Sequence, residues 1–319
     1  MMPKKVLFLD KAHPVLWEGL VNLGYDCIDQ SSSEREEVKR LLPSAFGIVI
    51  RSRLRIDEDF LQAGVGSLRF IARTGIGLEH VDLDYATSHQ IEVFNSPEGS
   101  RVTVGEHALG MLLGLMNHLA WADQEVRTGK WLREVNRGTE IKGKTIGIIG
   151  YGNTGQAFAK RLAGFEAEVL AYDKFKSDYG NEYAKAVAQE VIWERADIVS
   201  FHIPYLKENH YLVNSAYLDR FRKPIYLVNT SRGLILNTAD LVENMKAGKV
   251  LGAALDVLEY EEMSFRNLNL DTLPAPFQYL RKAKNAFLTP HIAGWSHEAK
   301  IAHAEVLLNK IDKCFHKNA

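Results

Sequence analysis

The sequence predicts an α/β protein of two doubly wound parallel-sheet domains, on three observations. Short apolar runs alternate with helical patterns along most of its 319 residues. A turn containing Gly150, Gly152 and Gly155 sits between one such run and a helical pattern. A break at Ser96-Pro97-Glu98-Gly99 splits the alternation into two series, each long enough for its own sheet.

The first series opens with Val6 to Leu9, a short apolar run that reads as a strand, and continues with helical spacing from Val15 to Leu23. Strands follow at Tyr25 to Ile28, Gly47 to Ile50, Arg69 to Ala72 and Ile91 to Asn95. Helical patterns near Arg35 to Leu42, Asp57 to Ala63 and Leu83 to His89 separate them. Such βαβ succession implies parallel strands with helices on both faces. In sheets of this kind ligand-binding loops lie at the carboxyl ends of the strands. Arg51 and Arg53 follow one strand end, and Gly75, Ile76 and Gly77 follow the next. By that rule all five are candidate substrate contacts, and the glycines would let backbone N–H groups face a ligand carboxylate. A plain turn is the competing reading of the glycines.

After the break, Val102 to Met116 reads as a long apolar helix. The run Thr145 to Ile149 then reads as a buried strand leading into the glycine turn, with Ala157, Phe158, Leu162 and Phe165 at helical spacing beyond it. Placed between strand and helix, the G-x-G-x-x-G spacing has a mechanical reading. Its first glycine allows the bend, the second lets backbone approach a pyrophosphate, and the third lets helix and strand pack closely. Asn153 and Thr154 occupy the helix start, where free N–H groups and the helix dipole favour phosphate. A second strand, Glu168 to Tyr172, ends at Asp173, placed to accept hydrogen bonds from both ribose hydroxyls of NAD and to repel a 2′-phosphate. Lys174 and Lys176 lie close enough to soften that preference.

Strands at Ile198 to His202, Tyr226 to Val228, Val250 to Val257 and Ala286 to Leu288 complete the second series. Each ends in polar or unusual residues: His202 and Pro204; Thr230, Ser231 and Arg232; Asp256 with Glu259, Glu261 and Glu262; and Thr289 to Gly294. Strand ends on one edge converge, so an arginine, a carboxylate and a histidine far apart in sequence can meet there. The last segment, Glu298 to Phe315, is an amphipathic helix whose packing partner periodicity does not identify.

Composition bounds the class. At 46% hydrophobic and 25% charged residues, with net charge −1, the chain is an ordinary globular protein with no electrostatic reason to bind nucleic acid or a membrane surface. Its longest apolar segment, Ala108 to Met116, is too short to span a bilayer. Two cysteines, Cys27 and Cys314, and an N-terminus unlike a signal peptide predict a cytoplasmic protein. No metal site is expected.

With these residues in view the chain resembles the D-isomer-specific 2-hydroxyacid dehydrogenases, most of all the catalytic region of 3-phosphoglycerate dehydrogenases without their regulatory domain. The resemblance rests on Arg51-Ser52-Arg53, RTGIGLEHVDL from Arg73, Gly129-Lys130-Trp131, GTEIKGKTIGIIG from Gly138, NTSRG from Asn229, GAALDV from Gly252 and TPHIAG from Thr289. It implies a Rossmann NAD domain, 102–288, inserted in a flavodoxin-like substrate domain, 1–101 with 289–319. It also implies a homodimer formed through the helix and arm after the boundary, and a 2-hydroxy or 2-keto acid substrate. Arg232, Glu261 and His291 take the catalytic positions. Cofactor positions are Gly150, Gly152, Asn153, Thr154, Gly155, Asp173, His202, Pro204, Thr230, Asp256 and Gly294, with Asp256 facing the nicotinamide. Arg232 suits a carboxylate through its planar fork, and His291 suits proton transfer at the substrate hydroxyl, with the carboxylate beside it orienting the ring.

The sequence departs from the family at Glu262, where Pro is usual, at Glu79-His80 in place of Asp-Asn, and at Ser100 in place of Asn. A long apolar-rich loop, 264–280, precedes the last strand. A glyoxylate or hydroxypyruvate reductase and an NAD-sensing corepressor are the alternative functions.

Overall fold

The computed structural model describes residues 3–261 and 273–316. It divides into two compact units, Met1–Ser100 with Trp295–Ala319 and Arg101–Gly294.

The first unit holds five parallel strands, β1 (Lys4–Phe8), β2 (Tyr25–Asp29), β3 (Ala45–Ile50), β4 (Phe70–Arg73) and β5 (Glu92–Phe94), in the order β2-β1-β3-β4-β5. Alternation along the strands divides their side chains between two cores. Leu7, Ile48, Ile50 and Ile71 pack with Val38, Phe60 and Leu61 on one face. Val6, Phe8, Val49, Phe70 and Ala72 pack on the other with Leu16 and Leu20, joined there by Leu307 and Ile311 of the C-terminal helix, His297–Phe315. That helix therefore closes the face covered by the first helix, Pro14–Asn22. Gly19 makes the close crossing possible, since a Cβ there would lie 2.3 Å from a Leu308 methyl. Ser296 caps the C-terminal helix by accepting the Ala299 N–H.

The second unit is a seven-stranded parallel sheet of β6 (Thr145–Ile149), β7 (Glu168–Tyr172), β8 (Lys185–Ala186), β9 (Ile198–Phe201), β10 (Ile225–Asn229), β11 (Val250–Leu255) and β12 (Ala286–Leu288). Their order is β12-β11-β10-β9-β6-β7-β8, so the winding reverses between β6 and β9. Apolar clusters cover both faces, which is why these strands read as continuous apolar runs in the sequence. The helix Arg101–Met116 lies against the helix Asn153–Arg161 that follows the glycine turn, with Gly105 meeting the backbone of Ala157. A further helix, Leu119–Arg127, is absent from the sequence expectation. It begins after His118 turns through the left-handed region, φ 54°, a break that side-chain periodicity does not encode.

One expected boundary moves. Thr289 to Gly294, assigned from sequence to the substrate domain, lies in the second unit because its hydroxyl and N–H groups are bound to Asp256 beyond β11. The expected loop 264–280 lies partly outside the described residues, and its described end forms a helix, Ala275–Leu280.

The helix crossing in the second unit generates a paired stability prediction. A Cβ on Gly105 would sit 2.8 Å from the Ala157 carbonyl carbon, so Gly105→Ala should destabilise by roughly 1 to 3 kcal/mol, the scale of overpacking. Gly110 on the same helix has nothing within 4 Å, so Gly110→Ala should stabilise by up to about 1 kcal/mol through helix propensity. Denaturant unfolding checks both; equal effects would remove the close crossing as the reason for Gly105.

Candidate active site

The sheet order of the second unit arranges the candidate residues before any side chain is considered. Moving across the strand ends, His291 follows β12, Asp256 and Glu261 follow β11, Thr230 and Arg232 follow β10, His202 and Pro204 follow β9, the glycine turn follows β6 and Asp173 follows β7. All lie on one edge because all strands run parallel.

The glycine turn is built by close backbone approach. Gly150 has φ +92° and an added Cβ would meet the His202 carbonyl oxygen at 2.6 Å. A Cβ on Gly155 would meet the Gly150 carbonyl oxygen at 2.2 Å, whereas Gly152, at the helix start, has open space around it. The helix N–H groups at Asn153, Thr154 and Gly155 precede Gln156, whose N–H is the first to find a helical acceptor in the Gly152 carbonyl, and so lie where an anion can reach them. The Asp173 carboxylate is held by the N–H groups of Tyr151 (2.8 Å) and Phe175 (3.0 Å), which leaves lone pairs for ribose hydroxyls. Both neighbouring lysines are committed elsewhere. Lys174 pairs with Glu208 at 2.7 Å and Lys176 donates to the Tyr151 carbonyl at 2.9 Å. A buried Thr230 hydroxyl has no partner among the described residues, which fits a site that a bound dinucleotide completes.

His202, an expected cofactor residue, is bonded within the protein. Its ring nitrogens lie 2.9 Å from the Ser200 hydroxyl and 3.3 Å from that of Thr154, so both are used within the protein. Burial pushes its pKa down to about 3, and the ring is neutral. It ties β9 to the start of the glycine-turn helix. Pro204 lies in the loop beyond β9, where its carbonyl accepts from Asn209 (2.9 Å), and Gly294 ends the second unit.

Asp256, another expected cofactor residue, is bonded within the protein too. It is 1% exposed, and its carboxylate accepts from the Thr289 hydroxyl and from the N–H groups of Ile292 (2.9 Å) and Ala293 (2.8 Å), with His107 Nε2 at 3.5 Å. Burial opposes its ionisation, yet these hydrogen bonds outweigh burial and hold the carboxyl below its ordinary range. Its oxygens are occupied in folding the 289–293 segment around β11. Within that segment the His291 N–H donates to the Asp256 carbonyl at 2.8 Å, and His291 itself takes φ +55°. Left-handed backbone at a histidine is held only by surroundings that over-determine it.

Glu261 Oε2 lies 2.6 Å from His291 Nδ1, while its Oε1 accepts the Leu258 N–H. One oxygen is thus anchored to backbone and the other aligns the ring. Glu259 is occupied by the hydroxyls of Tyr211 and Tyr260, and Glu262 lies outside the described residues. Arg232 is presented by a turn that Asn229 organises: the amide donates to the Arg232 carbonyl (3.1 Å) and accepts from the Ser231 N–H (3.1 Å). Gly233 presses on the β11 loop, where an added Cβ would meet the Leu258 carbonyl at 2.1 Å. This approach brings the arginine loop against the loop carrying Glu261.

In the first unit the two candidate arginines separate. Arg53 donates to the carbonyls of Leu9 (3.0 and 2.8 Å), Ser33 (2.8 Å) and Gln30 (3.1 Å), a structural clamp on the ends of β1 and β2. Arg51 lies with its guanidinium 3.9 Å from the Trp295 ring centroid. Gly75 also differs: its N–H is taken by the Ser96 hydroxyl (3.0 Å) and the Arg73 carbonyl (2.9 Å), and its φ of +148° explains the glycine. Ile76 and Gly77, expected as substrate contacts, follow it in the same loop. Asn95 holds that loop by donating to the Ile76 carbonyl at 2.7 Å. Sequence reasoning missed Asn95, Ser96, His107 and Trp295; the first two follow β5, so the strand-end rule could have found them.

Residues 109–293 match the family described as D-isomer specific 2-hydroxyacid dehydrogenase, NAD binding domain. A D-3-phosphoglycerate dehydrogenase of Archaeoglobus fulgidus is 36% identical over 274 residues, which cover 85% of this chain and 50% of that protein. A hydroxypyruvate reductase of Thermotoga maritima is 33% identical over 286 residues, 88% of this chain and 88% of that protein. The solved D-lactate dehydrogenase of Aquifex aeolicus, complexed with NAD and lactic acid, is similar with a TM-score of 0.80 and 26% identity, covering 99% of this chain and 96% of that one. The chain thus spans about half the length of the phosphoglycerate dehydrogenase and most of the reductase. With the glycine turn and Asp173 built as a dinucleotide requires, the chain belongs to the D-isomer specific 2-hydroxyacid dehydrogenases, and its cofactor is NAD.

Proposed function

We propose that the protein is an oxidoreductase that interconverts a D-2-hydroxy acid and its 2-keto acid. The observation that carries this reading is the 2.6 Å contact between Glu261 and His291, whose carboxylate is itself anchored by the Leu258 N–H. NAD, when bound, accepts the hydride from C2 or returns it as NADH. With Nδ1 directed at Glu261, His291 exchanges the hydroxyl proton through Nε2. In the second unit Arg232 suits a substrate carboxylate through its planar fork. In the first unit the loop N–H groups of Ile76 and Gly77 suit a carboxylate as a nest does. Asp173 favours NAD over NADP, a preference that kcat/KM values for the two cofactors measure. The anchored acid–histidine pair argues against a purely binding, corepressor-like role.

The substrate is 3-phosphoglycerate or its keto acid, with Arg51 as the phosphate partner. One observation favours a hydroxypyruvate or glyoxylate reductase instead: with Arg53 spent on the carbonyls of Leu9, Ser33 and Gln30, the expected pair of cations at this loop falls to Arg51. The assembly is a homodimer located in the cytoplasm. Support for the dimer is the exposed apolar series Leu119, Val126, Trp131, Leu132 and Val135, with Trp131 78% exposed.

Three measurements test these readings. His291→Asn suits the left-handed backbone and should lower kcat by roughly 10² to 10⁴ while NADH binding holds. Glu261→Gln should cost roughly 10- to 100-fold, the scale of a charged hydrogen bond, and Glu259→Gln should be silent. Full turnover in His291→Asn would remove the histidine from the chemistry. With NADH and a panel of phosphohydroxypyruvate, hydroxypyruvate and glyoxylate, Arg51→Ala should weaken the phosphorylated substrate alone, by roughly 1.5 to 3 kcal/mol. Equal losses across the panel would exclude Arg51 as the phosphate partner. Light scattering should give a dimer for the native protein and a monomer for Trp131→Glu; a native monomer would sink the dimer.

A further inference from the structure

His303 on the C-terminal helix takes no part in the chemistry described above, yet its hydrogen bonds end at the substrate loop. Its Nδ1 lies 2.9 Å from the Ser96 carbonyl and 2.8 Å from the Ser96 hydroxyl. A carbonyl only accepts, so Nδ1 carries the proton and donates. The Ser96 hydroxyl, in a residue with no exposed surface, accepts from the Gly75 N–H at 3.0 Å and lies 3.3 Å from the Gly75 carbonyl. The Ser96 N–H in turn donates to that carbonyl at 2.8 Å. Gly75 is thereby gripped on both its backbone groups, immediately before Ile76 and Gly77.

The helix reaches Ser96 through Gly99. A Cβ at that position would lie 2.5 Å from His303 Nδ1 and 2.7 Å from the His303 backbone nitrogen, so only glycine lets the helix approach. Around the ring are Arg51, Arg73 and Glu98, with Lys310 paired to Glu98 at 3.1 Å. Burial first, then the two arginines, hold the His303 pKa below its ordinary value against the opposing pull of the Ser96 bond and Glu98. The Ser96 carbonyl, which can only accept, keeps the proton on Nδ1.

We infer that His303 is a positioning residue for substrate binding, which acts through Ser96 and Gly75 to set the N–H groups of Ile76 and Gly77. This rests on the reading that the loop binds the substrate carboxylate. It makes the C-terminal helix part of the recognition apparatus through hydrogen bonds, in addition to its apolar packing through Leu307 and Ile311.

Two readouts on the full chain test it. Hydrogen exchange of the peptide spanning residues 73–80 should quicken in His303→Leu and in Ser96→Ala. It should stay at the native rate in His303→Asn, whose amide donates from the place of Nδ1. Steady-state kinetics should show KM for the 2-keto acid raised roughly three- to tenfold in His303→Leu, the scale of one buried hydrogen bond, with kcat and NADH affinity unaltered. The double variant should be no worse than either single one, because both cut the same chain. Native exchange in His303→Leu, with unfolding unchanged, would overturn the proposal whatever the activity. Additive KM effects, or failure of His303→Asn to restore native values, would overturn it too. Quickened exchange with an unaltered KM would spare the hydrogen-bond chain and count against carboxylate binding by the loop, so the two readings fail separately.

Discussion

The buried carboxylate of Asp256 accepts three hydrogen bonds from a segment more than thirty positions further along, and the geometry of the Glu261–His291 pair hangs from it. A carboxylate this deep is costly unless its lone pairs are filled, and here the filling groups are Thr289, Ile292 and Ala293. Folding that segment around one anion turns His291 into the left-handed region and points it toward Glu261. A left-handed histidine costs on the order of 1 to 3 kcal/mol, which the surrounding bonds offset. The strain and the buried charge are two sides of one arrangement.

Glycine serves the same edge of the sheet by permitting backbones to touch. Gly150 meets the β9 end, Gly155 meets Gly150 and Gly233 meets the β11 loop, each at a distance no Cβ tolerates. Loops so close move little relative to each other, which suits a site whose reacting groups must hold position within fractions of an ångström.

Side chains of one type divide their labour by surroundings. His202 is buried, neutral and linked to hydroxyls; His303 is half-buried and bonded to Ser96; His291 faces a carboxylate. Arg51 and Arg53 are two positions apart, yet one stacks on Trp295 and the other is clamped by carbonyls. Nothing in residue type distinguishes these roles. Partners do.

What the sequence determined by itself is the alternation of strands and helices, the parallel topology that follows, and the strand-end placement of each motif. These depend on local periodicity and on glycine's conformational range, both of which are written in neighbouring residues. Among the three acids Glu259, Glu261 and Glu262 it singled out Glu261 only through the register of the family resemblance, since local residues do not say which carboxylate the loop aims inward. The tertiary structure pairs Glu261 with His291 and Glu259 with tyrosines. It likewise decided that Asp256 and His202 spend their polar atoms inside the protein, that Arg53 clamps the chain, and that the C-terminal helix reaches Gly75 through Ser96. Each of those outcomes is a long-range hydrogen bond, and the pairing of donors and acceptors across a fold is settled only when the elements have packed.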